Sequence, residues 1–533
     1  MKNIFKFAFT LSLVGAIALT GCIKETFPQG GGATSDQMLS NTRAFESLVR
    51  GIPGYLMQPT THAGNHYELG YPAMVTIREM FGNDVAIFDI GYEWFGSWHE
   101  NTYQGENYIY GQYIWNFYSE CVMNANMVIR FDEGENTNDA FKPLIGAAYA
   151  YRALLWLEMG QMYEFKANKY TSKSEVEGLT IPHMHEDLTE DEARQNPRLS
   201  KDDLIYYISE DLNKAIEYTH GRSRLGVQFP GEAEAYGLLA RMYMWAENYE
   251  EAKAAAEKAI ELSGCTPLTE QQWTSTTSGF NSATSQNSWM WALTLTDESP
   301  AVKTGILNHA SWFASETSFG YCGAGAFRLV DAKFYSQISD RDWRKKSWKA
   351  PEGSNLDVPM LADTEYYSQD NVPELAGVKF RPATGNTDDY LIGAKSDFPL
   401  MRVEEMYFII AECEARKGNI DYLIDWIRAN RNPWYTGTTA SRENVAEVLF
   451  QKRIEFWMEG VTFFDFKRCP EYMKIERGYD GTNHTPNSCF NVDGLAPWMN
   501  ICFVMTETNQ NPALINNPDP SQTVELWNPT PEE

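Results

Sequence analysis

Residues 232–247 read EAEAYGLLARMYMWAE and, past Asn248, residues 249–262 read YEEAKAAAEKAIEL. In the first run Ala235, Leu238, Leu239, Met242 and Ala246 recur at spacings of three and four, the period that brings side chains to one face of an α-helix. In the second run Tyr249, Ala252, Ala256, Ala259 and Ile260 do the same. Asn248 interrupts the pattern, so the segment predicts two helices joined by a tight turn. Alanine dominates the shared face, and its small side chain lets the two helices approach closely.

Outward from this pair the same pattern returns. Residues 143–163 (PLIGAAYAYRALLWLEMGQMY) and 200–218 (SKDDLIYYISEDLNKAIEY) predict two further helices. Ser200 suits the N-cap of the second, with Asp202 and Asp203 complementing the helix dipole in its first turn. Closer to the C-terminus, Pro399–Lys417 predicts a helix closed by Gly418, Asp421–Asn430 a short one, and Ser441–Met458 a longer one. Paired, alanine-rich helices at this spacing resemble tetratricopeptide repeats. Between the two halves, residues 271–398 lose the helical period and fill with Ser, Thr, Gly, Pro and Trp. Trp289, Trp291, Trp312, Trp343 and Trp348 argue against disorder there, so the stretch reads as a functional, loop-rich region. The expected fold is mostly α. A TPR-like helical array over 41–270 packs against a loop-rich ligand-binding region at 271–398, and 399–533 supplies C-terminal helices and a surface-wrapping tail.

The N-terminus predicts an address. Lys2 and Lys6 precede an apolar run from Phe7 to Thr20, and Leu19-Thr20-Gly21-Cys22 resembles the lipobox read by lipoprotein signal peptidase. The expectation is a signal peptide over 1–21, lipidation of Cys22, and a tether over 22–40 whose Gly30–Gly32 cannot pack a core. No later stretch has the roughly 18 apolar residues of a spanning helix, so attachment is expected through lipid alone. The formal net charge of −28 repels nucleic acid and anionic headgroups and excludes both as expected partners. Seven cysteines follow Cys22 at irregular spacings without a Cys-x-x-Cys, which predicts neither a disulfide framework nor a zinc site. Cys413 falls in an apolar helical pattern and reads as a small buried hydrophobe.

Aromatic residues make up 14% of the chain, with 16 Trp, and they are unevenly spread. Residues 88–118 alone hold twelve: Phe88, Tyr92, Trp94, Phe95, Trp98, Tyr103, Tyr108, Tyr110, Tyr113, Trp115, Phe117 and Tyr118.

Four segments together carry a family resemblance. Trp115–Ile129 (WNFYSECVMNANMVI) resembles the "W…Y…I..aN.vi" helix of SusD-like (RagB/SusD) proteins, with Trp115, Tyr118, Ala125 and Asn126 in place. The helices beginning at Pro143, Ser200 and Glu232 stand where that family has its TPR-like helices. Leu400–Asn419 resembles its "R..E.yl..AEa..r.Gn" helix through Arg402, Glu405, Ala411, Glu412 and Gly418. Arg453–Arg468 resembles "R.EL..EG.R..DL.R" through Arg453, Glu455, Glu459, Gly460, Phe464, Asp465 and Arg468. Glu507, Asn511-Pro512 and Asn516-Asn517-Pro518 resemble its C-terminal "PIP..E...NP.l.QNP". The departures are Thr462 for Arg, Cys469 for Trp, and Val504-Met505-Thr506 for the PIP. The charges of the Arg453 segment read as an ion-pair network that locks the last helix to the body. A catalytic pair in Glu455 and Glu459, one helical turn apart, is the competing reading.

The resemblance implies an outer-membrane, cell-surface lipoprotein that binds a nutrient, commonly a glycan, and serves a SusC-like TonB-dependent transporter, with no cofactor and no catalysis. Composition agrees. Trp and Tyr cover the flat C–H faces of sugars, and amides and carboxylates accept their hydroxyls. Two segments outside the helical pattern have that composition. Residues 89–103 (DIGYEWFGSWHENTY) offer Tyr92, Trp94, Trp98 and Asn101, and residues 307–328 offer Trp312, Phe319 and Tyr321. The alternatives are an α-helical glycoside hydrolase or lyase, and a TPR-type envelope scaffold without a ligand of its own. The sequence has no Gly-x-Ser-x-Gly, no His-Glu-x-x-His and no phosphate-binding loop. The close pairs His62/His66 and His183/His185 lack a third ligand.

Overall fold

A computed structural model describes residues 41–88, 90–437 and 442–528. The expected signal peptide, Cys22 and the tether lie outside the described residues, as do Asp89 and Ser441. Among the described residues the helices of seven residues or more are α1 (Thr42–Leu56), α2 (Tyr71–Phe81), α3 (Ile109–Ile129), α4 (Lys142–Tyr163), α5 (Lys201–Thr219), α6 (Glu232–Trp245), α7 (Tyr249–Ser263), α8 (Val403–Arg416), α9 (Asp421–Asn430), α10 (Asn444–Glu455) and α11 (Thr462–Arg468). The chain divides after Ser47 into two units. The first contributes only residues 41–47, at the opening of α1, to the described part; the second, from Leu48 onward, holds every other element. No described helix is long and apolar enough to cross a membrane.

Residues 232–262 form the paired helices α6 and α7. Between them the Asn248 side chain accepts from the Glu251 amide at 3.4 Å and caps α7. Ala235, Ala252, Ala256 and Ala259 are buried at the contact. The array runs on by neighbour packing: α3 on α4, α4 on α5, α5 on α6, α6 on α7, α7 on α8, and α8 on α10. Helices inside such an array are buried on more than one side. In α4 every residue from Leu144 to Tyr163 is buried, and in α6 Gly237, Ala240 and Met244 are buried outside the stripe read from the sequence. Two helical glycines mark the closest approaches. A Cβ at Gly160 would stand 2.5 Å from Leu204 and 3.0 Å from Trp245, and one at Gly237 would stand 2.4 Å from Met401. Glycine inside a helix costs roughly 0.5–1 kcal/mol relative to alanine; here it makes room for the neighbouring side chain.

Short antiparallel strand pairs punctuate the helices. β1 (Val85–Ile87) pairs with β5 (Arg328–Val330), β2 (Leu179–Pro182) with β3 (Arg198–Ser200), β4 (Trp289–Leu293) with β6 (Phe398–Arg402), and β7 (Ile475–Glu476) with β8 (Asn491–Val492). Two of them, β1–β5 and β4–β6, fasten the loop-rich region. β6 corrects the expected helix start at Pro399. Residues 398–402 are extended, and helix α8 begins only at Val403, whose amide donates to the Ser288 carbonyl at 2.9 Å. Both β4 and β6 are buried along their whole length, so neither shows the polar–apolar alternation that separates a strand from a helix. The helix expected over Ser441–Met458 is shorter, Asn444–Glu455, because the chain turns at Met458 and Gly460 with positive φ. Trp291, Trp312 and Trp348 of the loop-rich region are fully buried. The C-terminal tail is stitched into the body rather than laid over it. Asn517 accepts from Arg198 at 2.8 Å and donates to the Tyr163 and Ile501 carbonyls, and Glu507 accepts from the Trp115 indole at 3.0 Å.

The charges of the Arg453 segment fall into three clusters, paired mostly with residues outside the segment. Glu455, fully buried, accepts from Arg431 at 2.8 Å, Arg402 at 3.1 Å and Arg344 at 3.2 Å. Glu459 accepts from Lys379 at 2.6 Å and Arg402 at 2.8 Å. Burial alone would raise the Glu455 carboxyl; the guanidiniums, Arg431 foremost, overcome it and hold that carboxyl well below the usual carboxylate range. Arg453 pairs with Asp84 at 2.8 Å, tying α10 to the turn before β1. Arg468 pairs with Glu412 of α8 at 2.6 Å and Asp465 at 2.9 Å, and Lys452 reaches Asp465 at 2.7 Å.

Candidate functional site

The β1–β5 pair decides where the two aromatic loops meet. Its register sets Ile87 opposite Arg328 and Val85 opposite Val330, so the loop leaving β1 and the loop entering β5 emerge side by side. Arg328 then bridges them. It is buried and donates to Glu93 of the first loop at 2.6 and 3.1 Å, with its guanidinium 5.0 Å from the Trp312 ring centre and 5.6 Å from that of Phe95.

Around this bridge the rings interlock. Trp312 is fully buried, stacks on Tyr321 with centres 4.0 Å apart at 17°, and takes the edge of Phe95 at 5.0 Å. Trp98 is buried among Phe95 at 5.7 Å, Tyr67 at 4.9 Å and Tyr110 at 4.8 Å. The aromatic chain surfaces at two ends. At one, half-buried Trp94 lies 4.9 Å from the ring of exposed His66, whose Nδ1 meets the Tyr321 hydroxyl. Tyr92 stands beside it in sequence, 60% exposed. At the other end exposed Tyr103 and Tyr108 lie 5.1 Å apart, and Tyr103 stacks on Tyr110 at 6.3 Å. Burial pushes the Tyr321 hydroxyl up to about 12, so it stays a neutral donor and acceptor at physiological pH.

The structure therefore sorts the sequence candidates. Tyr92 and Trp94 reach the surface, and Tyr321 offers its hydroxyl edge through His66. Trp98 and Trp312 are the buried frame beneath them. Asn101 is buried with φ 49°, and its amide donates to the Pro520 carbonyl at 2.9 Å, fixing the first loop to the C-terminal tail. Phe319 packs with Ala310, Ala314 and Tyr390. Sequence reasoning missed His66 at the first end and Tyr103 and Tyr108 at the other. In the sequence His66 stands out only as half of a histidine pair, and nothing in the linear order joins it to residue 321. Tyr103 carries a backbone signal, φ 57°, visible only in three dimensions.

The other candidates resolve plainly. Among the described residues no group of three His, Cys, Asp or Glu is placed to hold a metal ion. His183 stacks on Tyr207 at 3.8 Å. The seven described cysteines are free thiols; Cys413 is fully buried, with its sulfur 3.8 Å from that of Met244. Glu455 and Glu459 are saturated by the cations named above, which leaves no free carboxylate pair there.

Residues 244–495 match the sequence profile of the SusD family. Over that segment, just under half of the chain, the sequence is similar to the SusD family. No curated protein sequence matches it. Among solved structures, a SusD-like carbohydrate binding protein from Bacteroides vulgatus ATCC 8482 superposes with a TM-score of 0.67 at 20% identity, covering 89% of this chain and 97% of that one. A SusD superfamily protein from Bacteroides thetaiotaomicron VPI-5482 gives 0.67 at 15% identity, covering 90% and 100%. The surface glycan-binding protein A from Bacteroides uniformis gives 0.62 at 16% identity, covering 90% and 99%. At such identities the shared property is the SusD fold. The profile match spans Trp312 and Tyr321 but begins after Tyr92 and Trp94, so half of the aromatic surface lies upstream of it. The SusD motif residues quoted above are scaffold here: Arg402 holds Glu455 and Glu459, Glu405 holds Arg241 at 2.6 Å, and Glu412 holds Arg468.

Proposed function

We propose that this protein is a cell-surface lipoprotein of the SusD family that binds an oligosaccharide or polysaccharide and delivers it to a SusC-like TonB-dependent outer-membrane transporter. The observation that carries the reading is that half-buried Trp94 and exposed His66, which bonds the Tyr321 hydroxyl, cap an otherwise buried aromatic stack, with exposed Tyr92 two residues from Trp94 in the chain. Ring faces meet the C–H faces of a sugar, while the hydroxyl and imidazole meet its hydroxyls. The buried Trp312, Phe95 and Arg328 beneath hold these groups in place, so little ordering is left to be done on binding. Binding rather than turnover is supported by the saturation of Glu455 and Glu459. Attachment through Cys22 and an outer-membrane location rest on the lipobox resemblance and on the family.

Affinity electrophoresis and calorimetry over a panel of neutral glycans test the proposal. We expect Trp94→Ala to weaken binding by about tenfold, the loss of one stacked ring, and Tyr92→Ala to weaken it less. Full affinity in both variants would remove the proposed surface, and release of reducing sugar would move the reading to an enzyme. Co-purification with a TonB-dependent transporter tests the partner.

A further inference from the structure

A cleft of about 560 Å³ that shares no residue with the aromatic loops opens where the turn after α9 faces residues 340–346. Trp434 stands at its rim, 63% exposed. Its turn is rigid. The Arg431 and Asn432 amides both donate to the Ile427 carbonyl at 2.8 Å, the Trp434 amide donates to the Asn432 side chain at 3.1 Å, and the next residue, Tyr435, is buried with its hydroxyl on Glu447 at 2.7 Å. The large apolar ring is thus projected into solvent by a backbone that cannot fold it away. Trp343, half-buried, forms a second aromatic side of the cleft, with the Arg431 guanidinium 4.7 Å from its ring centre.

The charges are as unusual as the tryptophan. Arg341 lies 5.3 Å over the Trp434 ring, and Arg428 donates to the Tyr435 carbonyl at 2.6 Å. Neither guanidinium has a carboxylate partner among the described residues, whereas the neighbouring Lys346 and Asp340 are paired, with Glu270 and Lys345. In a chain with 72 acidic against 44 basic residues, two unpaired guanidiniums on one small cleft are a local reversal of sign.

We propose that this cleft is a second glycan site, selective for sugars that carry a carboxylate. The Trp434 ring takes the C–H face of the sugar, and the forked donors of Arg341 and Arg428 take the carboxylate. The inference shares only the ligand class with the function proposed above, and the experiment separates the two. Oligosaccharides of galacturonate, hyaluronan and alginate are titrated calorimetrically into the full chain at low salt, alongside methyl-esterified oligogalacturonate. We expect at least one acidic probe to bind, binding to fall about tenfold or more in Trp434→Ala and in the Arg341→Ala/Arg428→Ala double variant, and added salt to weaken it. The methyl ester is expected not to bind if galacturonate does, and Trp94→Ala to leave acidic binding unchanged. All three positions are at the cleft surface, and unchanged thermal melts of the variants verify that the fold is kept. The proposal is overturned if no acidic probe binds at millimolar concentration, if binding survives in the cleft variants, or if it is lost in Trp94→Ala instead. In those cases Trp94-dependent binding of neutral glycans would leave the first proposal standing.

Discussion

Replacing Glu455 by Gln tests whether the buried charge cluster holds the C-terminal helices. The substitution keeps size and shape but removes the one carboxylate that three buried guanidiniums share, those of Arg431, Arg402 and Arg344. Each retains another partner: Arg402 keeps Glu404 and Glu459, Arg431 keeps Glu404, and Arg344 keeps Asp342. What is left is one positive charge in excess, wholly out of water, and breaking a buried pair from one side costs about 3–5 kcal/mol. For a unit of about 490 residues the unfolding entropy amounts to about 1 kcal/mol per degree. The melting temperature should therefore fall by about 3–5 °C. Differential scanning calorimetry near neutral pH, at low salt and at about 0.5 M salt, measures it. The deficit should persist in salt, because buried pairs are poorly screened. The Glu455 carboxyl sits below its ordinary range, so its contribution is present above the unfolded-state value and is lost only as pH falls through the lower folded one. Across pH 5–8 the deficit should thus be constant. A melt within about 1 °C of wild type, or a deficit that salt abolishes, would refute the reasoning; both are what a surface pair would give.

Two further outcomes concern the core. Gly377→Ala should lower the stability by about 1–3 kcal/mol in chemical denaturation, because its Cβ would stand 2.4 Å from the Trp457 ring, which is pinned by a 3.1 Å bond to the Asp84 carbonyl; an unchanged midpoint would show that the ring can move. His309 is fully buried, and burial lowers it to about 3. It stays neutral in the fold while the unfolded chain takes up a proton below about 6.5, so stability falls as pH drops through that window, by about 2 kcal/mol at pH 5. Between pH 7 and pH 5 the wild type should lose about that much more stability than His309→Gln, and equal losses would contradict the assignment.

Much of the helical half was legible because its signals are local. The alanine stripe of α6 and α7, Asn248 between them, Ser200 with its acidic first turn and Gly418 after α8 act within a few residues, and each is found where the sequence set it. β6 was not legible. A strand buried on both faces carries no alternation, and what makes Phe398–Arg402 extended is β4, more than a hundred residues away. The candidate site divides in the same manner. Aromatic composition drew attention to residues 88–118 and 307–328, but it could not say which rings face solvent, because Trp and Tyr serve a core and a ligand surface equally well.

By itself the sequence determined the class of fold and drew attention to the two aromatic segments from which most of the candidate surface is built. Only the tertiary structure decided that Trp312 and Trp98 lie beneath the surface, that Tyr92 and Trp94 reach it, and that His66 joins them. The reason is physical. Helix periods and caps are set by neighbours along the chain. Exposure is set by what the rest of the chain covers, and here that was settled by the β1–β5 pairing and by one buried ion pair, Arg328 with Glu93.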